Sequence, residues 1–212
     1  MFMKNLSKLV LASSLVLAAS TAFAESVDFT VSGTISPSAC VPTLSGNFEF
    51  GTINSTTLKL DTSYEGIKTV AAKDLYLNVA CSAATSFALS ATDNKAGTVS
   101  NNVAGQLPEA FGLGQANGKN IGGYLVGLRS AVGDSGPVKT FKATDDTATT
   151  WAVSYNLDAR GNYTRFGLSA DTYNSYSSIL AALSVQPLFD ADIDLSNEIT
   201  LDGSATIEIK YL

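Results

Sequence analysis

The chain has no histidine, and only two cysteines, two methionines and one tryptophan among its 212 residues. Each scarcity removes a class of function. Without imidazole, nothing of the usual kind can take the proton from a serine nucleophile, and two cysteines alone cannot make a structural zinc site. Charge is sparse as well: charged residues make up 15 % of the chain, and the net charge is −6. No run of five or more basic side chains occurs, so neither nucleic acid nor an anionic membrane surface is an expected partner. Long apolar runs are equally rare. The longest, residues 9–19, is too short to span a bilayer, and no later run approaches that length, so no transmembrane segment is expected in the mature chain. No stretch keeps a convincing amphipathic helical period, which argues against a coiled coil or a helical bundle.

Residues 1–24 have the form of a secretory signal peptide. Lys4 and Lys8 precede the apolar run, and Ala22-Phe23-Ala24 fits the small-residue cleavage rule. Removing this segment leaves 188 residues and moves the net charge from −6 to −8, because both lysines leave with it. What remains is acidic and rich in Ser, Thr, Ala, Gly and Asn, a mixture suited to an all-β extracytoplasmic domain. The expected location is the periplasm. In such a compartment an even pair of cysteines reads as a disulfide, so Cys40 and Cys81 are expected to be bonded rather than left as buried free thiols.

The strongest pattern lies at the end of the chain. From 199 to 211 every odd position is apolar or small: Ile199, Leu201, Gly203, Ala205, Ile207, Ile209 and Tyr211. The even positions from Glu198 to Lys210 are polar. A period of two means a strand with one buried and one wet face. No sequence follows Leu212, so either an earlier segment pairs with this strand or its edge stays open, and an open apolar edge invites a strand from another chain. The start of the mature chain alternates too, with Val27, Phe29, Val31, Gly33 and Ile35 on one face. Between these ends the sequence predicts short strands at 48–53, around Leu58 and Leu60, at 75–81 and 87–91. Further strands follow at 121–128, 138–143, 151–155, 163–168 and 183–188. A Gly- and Asn-rich excursion fills 92–122. Residues 171–178 could form one helical turn, and Pro187 is read as starting a loop. About ten short strands with turn chemistry between them make an antiparallel β-sandwich.

Gly33-x-Ile35 followed by Cys40, the second cysteine closing the strand 75–81, and the alternating C-terminal strand with penultimate Tyr211 resemble the subunits of chaperone–usher pili. Phe111-Gly112-Leu113-Gly114, Ile121-Gly122-Gly123-Tyr124, Trp151 and Leu201-Asp202-Gly203-Ser204-Ala205-Thr206 resemble a fimbrial-like family of exported Gram-negative proteins. The resemblance implies an immunoglobulin-like sandwich that lacks its last strand. It also implies a periplasmic chaperone and an outer-membrane usher as partners, and other fimbrial subunits as neighbours in a surface fibre. By this analogy Ile207, Ile209 and Tyr211 line the groove that accepts a strand, and Val27, Phe29 and Val31 form the strand given to a neighbour. The chain then divides into a signal peptide (1–24), an N-terminal extension (25–32) and one sandwich domain (33–212). Two features depart from the pattern. Eight residues before Gly33 make a short donor arm, and Ile199 stands where such subunits carry a glycine.

Enzymatic readings are weaker. Gly133-Asp134-Ser135-Gly136-Pro137 resembles the loop around a protease nucleophile, yet the chain supplies no base, and a turn is the expected structure. Asp190-x-Asp192-x-Asp194 is half of a calcium loop, but Leu195 and Leu201 occupy the places of its glycine and its terminal glutamate. Trp151 with Tyr163, Tyr173 and Tyr176 could form a sugar platform, although such aromatics more often plug a core. The sequence therefore points to a non-enzymatic structural subunit of a surface fimbria, built by strand exchange and serving cell adhesion, with no cofactor. The alternative is a self-complete periplasmic or surface binding module.

Overall fold

A computed structural model describes residues 30–34, 39–145 and 147–212. The chain divides into two units, Met1–Ser36 and Pro37–Leu212. In the first, Val31 is exposed and residues 30–34 belong to no strand.

In chain order the strands are β1 (Cys40–Leu44), β2 (Lys59–Leu60), β3 (Ile67–Thr69), β4 (Lys73–Thr85) and β5 (Phe87–Asp93). A short helix α1 (Asn101–Gln106) precedes β6 (Phe111–Gly112), β7 (Gln115–Ala116), β8 (Lys119–Asn120), β9 (Gly122–Gly133) and β10 (Gly136–Pro137). Then come β11 (Lys139–Ala143), β12 (Ala152–Val153), β13 (Arg160–Gly167), β14 (Tyr176–Asp190) and β15 (Ala205–Tyr211). The strands form an all-β antiparallel sandwich. One sheet runs β1-β4-β14, where β14 also pairs with β9 and, past the end of β4, with β3, which in turn pairs with β2. The other runs β12-β11-β13-β5-β15. Between them lies a single large core that includes Leu77, Val79, Leu89, Val126, Phe166, Ile179 and Leu183. These residues lie on the inner faces of the two sheets, as a sandwich requires.

Several sequence expectations change. Pro187 sits inside β14, paired with Tyr124 of β9. It is tolerated there because β14 has no partner on its other side at 186–187, between the end of β4 pairing at Val185 and the start of β3 pairing at Leu188. Residues 171–175 form a turn followed by irregular backbone, with no helix. The excursion 92–122 does hold one helical turn and a half, where the Ser100 side chain accepts the Val103 N–H at 3.3 Å as an N-cap. Val103 and Leu107 pack with Ile67 and Leu188 in a small second core. Among the described residues no helix is long and apolar enough to cross a membrane.

Candidate functional site

The terminal strand is shorter than its alternation suggested, and it sits at a sheet edge. β15 pairs antiparallel with β5 from Ala205 opposite Asp93 to Tyr211 opposite Phe87. Among the described residues no strand pairs with its other edge. The polarity of that edge follows from the ladder. Ser204 accepts from the Asn94 N–H and Leu212 donates to the Ser86 carbonyl, so even-numbered backbone groups face β5. The N–H and C=O groups of Ala205, Ile207, Ile209 and Tyr211 therefore point to the open edge. Ile207 and Ile209 also turn their side chains onto the core. One set of residues thus offers both backbone hydrogen bonds and apolar contacts to whatever lies alongside.

What lies alongside is a hollow of about 590 Å³. One rim is β15 with the loop before it, through Leu201, Gly203, Ala205 and Ile207. The other is β1 and the segment after it, through Pro42, Leu44, Phe48 and Phe50. The floor is core: Leu77, Phe111, Leu113, Tyr124, Leu157 and Leu183 among others. Tyr211, at the end of β15, reaches across to β1. It is 51 % exposed, and its hydroxyl accepts the Cys40 N–H at 3.0 Å. Cys40 is disulfide-bonded to Cys81, its direct neighbour across the β1–β4 ladder. Both rims and β4 are therefore fastened together at this end.

The far end is built by short polar ties. Lys95 pairs with Asp202 at 2.5 Å, the Asp202 N–H donates to the Leu113 carbonyl at 3.0 Å, and the Asn94 amide donates to Ser204 and Thr206 at 3.0 Å each. Gly203 is required by contact: a Cβ there would lie 2.7 Å from the Tyr124 ring. Phe111 stacks on Tyr124 at 5.3 Å. Burial, with the nearby Asp93 carboxylate, pushes the Tyr124 phenol far above its ordinary range, so the floor stays uncharged. An uncharged, apolar floor beside an unpaired strand edge can hold an extended peptide with alternating apolar side chains.

The other sequence-singled residues fall elsewhere. Val27 and Phe29 lie outside the described residues. Ser135 sits in the tight turn from β9 to β10. The carboxylate of its neighbour Asp134 accepts the N–H groups of Ser177 and Ser178 at 2.7 and 2.8 Å, where β14 bulges against β4. Asp190 accepts from the Ser100 hydroxyl at 2.7 Å, and Asp194 accepts the Ser196 N–H at 2.9 Å. Among the described residues no cluster of three His, Cys, Asp or Glu side chains could hold a metal ion. The aromatics form no single platform. Tyr176 belongs to the main core, whereas Trp151 is buried on the outer side of the β5–β13–β11 sheet beside Tyr173.

Two charged residues went unnoticed in the sequence. Asp158, fully buried, accepts from Arg160 at 2.6 and 2.8 Å, from Asn162 at 2.8 Å and from Lys142 at 3.1 Å. Burial alone would raise its pKa, but the bonds from Arg160 and Lys142 outweigh that and hold it well below the carboxylate range. This cluster ties β11 to the start of β13 and fixes the adjacent Leu157 in the groove floor. Arg165 is 1 % exposed, and among the described residues it forms no ion pair with a carboxylate. Its guanidinium lies 4.8–5.3 Å from the rings of Tyr173, Trp151 and Phe141, and it donates to the carbonyls of Ala170 and Thr172. The Asp-x-Arg-x-Asn spacing from 158 to 162 was a readable signal for the first cluster. Nothing in the local sequence marks the second.

Residues 29–125 match a family model described as a protein of unknown function (DUF1120). That span runs from before β1 into the start of β9, and so takes in one rim of the groove and part of its floor. The chain is also similar to Protein GltF of Escherichia coli (strain K12), at 26 % identity over 229 aligned residues that cover 87 % of this chain and 88 % of that one. This likeness extends over most of both chains. No solved structure matches.

Proposed function

We propose that this chain is an exported, non-enzymatic structural subunit of a surface fimbria, completed by a strand from another chain and contributing to cell adhesion. The observation that carries the reading is the unpaired edge of β15 facing β1 across an apolar hollow. A periplasmic chaperone would occupy the groove first. The segment Val27–Phe29–Val31 of a neighbouring subunit would replace it at the outer-membrane usher. Its alternation matches the spacing of Ala205, Ile207 and Ile209, since residues two apart point to one face of a strand. The signal-like residues 1–24 and the Cys40–Cys81 disulfide support export to an oxidising compartment.

One observation favours a second reading, a self-complete periplasmic or surface binding module. No floor residue of the groove is more than 7 % exposed, so the core is well shielded in the isolated chain. Expression in the periplasm with surface-fibre imaging separates the two. A subunit should reach surface fibres in the native host, and a Phe29→Asp variant should accumulate in the periplasm without entering them. If Phe29→Asp leaves fibres unchanged, or the wild type never enters one, the subunit reading fails.

A further inference from the structure

Residues 46–53 follow β1 and have the sequence of a strand: Phe48, Phe50 and Ile53 are half-buried against the core, while Asn47, Glu49 and Gly51 are exposed. Yet the segment belongs to neither sheet. Among the described residues, the backbone of 47–52 makes a single backbone hydrogen bond, from the Glu49 N–H to the Asn47 carbonyl at 3.1 Å. Its remaining ties come from Lys73, at the start of β4. The ammonium donates to the Glu49 carbonyl and lies 5.3 Å from the centre of the Phe50 ring. Gly51 has φ +61°, a left-handed turn that glycine adopts at little cost, with no atom within 4 Å of a would-be Cβ. The result is an apolar pair, Phe48 and Phe50, resting on the groove with almost no backbone bonding to keep it there.

We propose that residues 46–53 are a resident cover, which shields the groove in the free subunit and gives way when an extended strand docks along β15. This rests on the strand-addition reading above. It accounts for a floor that is shielded although one strand edge stands open. The segment has one mark of a unit of low local stability: its backbone groups are almost all outside the hydrogen-bond ladders. A docking strand would compete with it, so the observed rate and affinity are reduced by the fraction of chains in which the cover is open. The contact that holds it is distributed between two phenyl rings and one lysine, all outside the ladders that build the sandwich, except that Lys73 begins β4.

The test uses the mature disulfide-bonded chain and a fluorescent synthetic peptide of residues 25–35. Association is followed for the wild type, for Phe48→Ala with Phe50→Ala, and for Lys73→Met, which loosens the cover while leaving the core intact. Both variants should associate at least about tenfold faster than the wild type. Hydrogen exchange should find amides 47–52 quick to exchange in the free protein and still quick in the complex, while Ile207 and Ile209 gain protection. Binding at unchanged or slower rates in both variants overturns the cover alone. So does protection gained at 47–52, which would make the segment a partner in the ladder. Absence of peptide binding by all three proteins overturns the strand-addition reading, and the cover's role with it.

Discussion

The hydroxyl of Tyr211 accepts the backbone N–H of Cys40 at 3.0 Å, joining the last strand of one sheet to the first strand of the other. The same Cys40 carries the disulfide to β4. Core side chains beneath the groove also join its two rims. The Tyr211 hydrogen bond sets their separation at one end. Replacing Tyr211 by Phe keeps the ring and removes the bond. The loss should be about 1 kcal/mol, the ordinary net worth of one hydrogen bond, or about 2–4 °C in Tm for a domain of this size. Thermal melting of the oxidised protein checks it. An unchanged melting point would mean that the rims are held apart by packing alone.

The disulfide spans 41 residues of sequence and joins strands already paired in register. Its stabilisation comes mainly from restricting the unfolded chain, on the order of 2–4 kcal/mol. Substituting both cysteines by serine should therefore lower the denaturant midpoint markedly and steepen the transition, because the unlinked unfolded chain exposes more surface. Urea titrations of the wild type with and without reductant should reproduce the same difference. If native oxidised protein yields two alkylatable thiols, the bond does not form in solution.

Asp158 gives a pH dependence whose sign can be worked out. Its folded pKa lies below the unfolded value of about 3.9. Its contribution is complete above that value and is lost as pH falls through the lower, folded one. Asp158→Asn should thus cost stability at neutral pH, about 1–3 kcal/mol for the broken buried bonds, and should flatten the dependence of Tm on pH below pH 4. Melting curves between pH 2 and pH 7 test both parts. A variant that loses stability equally at every pH would show that packing, not the ionised carboxylate, is what Asp158 supplies.

The legibility of this molecule in its sequence follows which signals are local. Alternation reports a half-buried strand wherever both faces differ, so the core face of β15 and the Leu75–Cys81 part of β4 were readable residue by residue. It cannot report pairing. Phe48 and Phe50 alternate as well as Leu75 and Leu77 do, yet among the described residues no neighbouring strand meets them. Residues 199–204 alternate like β15 itself, but Lys95 and Leu113 hold them as a loop over Tyr124. Pro187 misled for the opposite reason: a local rule against proline in a strand yields where a long strand changes partners. Asp158 was legible in part, through the Arg160 and Asn162 that follow it, although its bond from Lys142 was not. Arg165 was opaque because its partners are loop carbonyls and ring faces, which leave no local signature.

The parity of β15 supplies the sharpest test of the groove. Ile207 turns its side chain onto the core and its backbone groups to the open edge, whereas Glu208 is half-exposed and pairs with Lys210 at 2.7 Å. A carboxylate at 207 would have to be desolvated against Leu77, Tyr124 and Leu183, or would hold the strand away from them, at a cost of several kcal/mol. Removing the charge at 208 sacrifices only a surface ion pair, worth about 0–1 kcal/mol. Ile207→Asp should therefore abolish recovery of soluble protein from the periplasm, and Glu208→Gln should leave it nearly unchanged. Ala205 faces the open edge but is exposed, so Ala205→Asp should fold normally. It should nonetheless weaken any strand docked beside it, because its charge would meet the incoming apolar face. Yield and thermal melting separate the folding effect at 207 from the docking effect at 205. If Ala205→Asp folds and binds an extended partner as tightly as the wild type, the partner does not run along this edge, and the self-complete module becomes the better account of the chain.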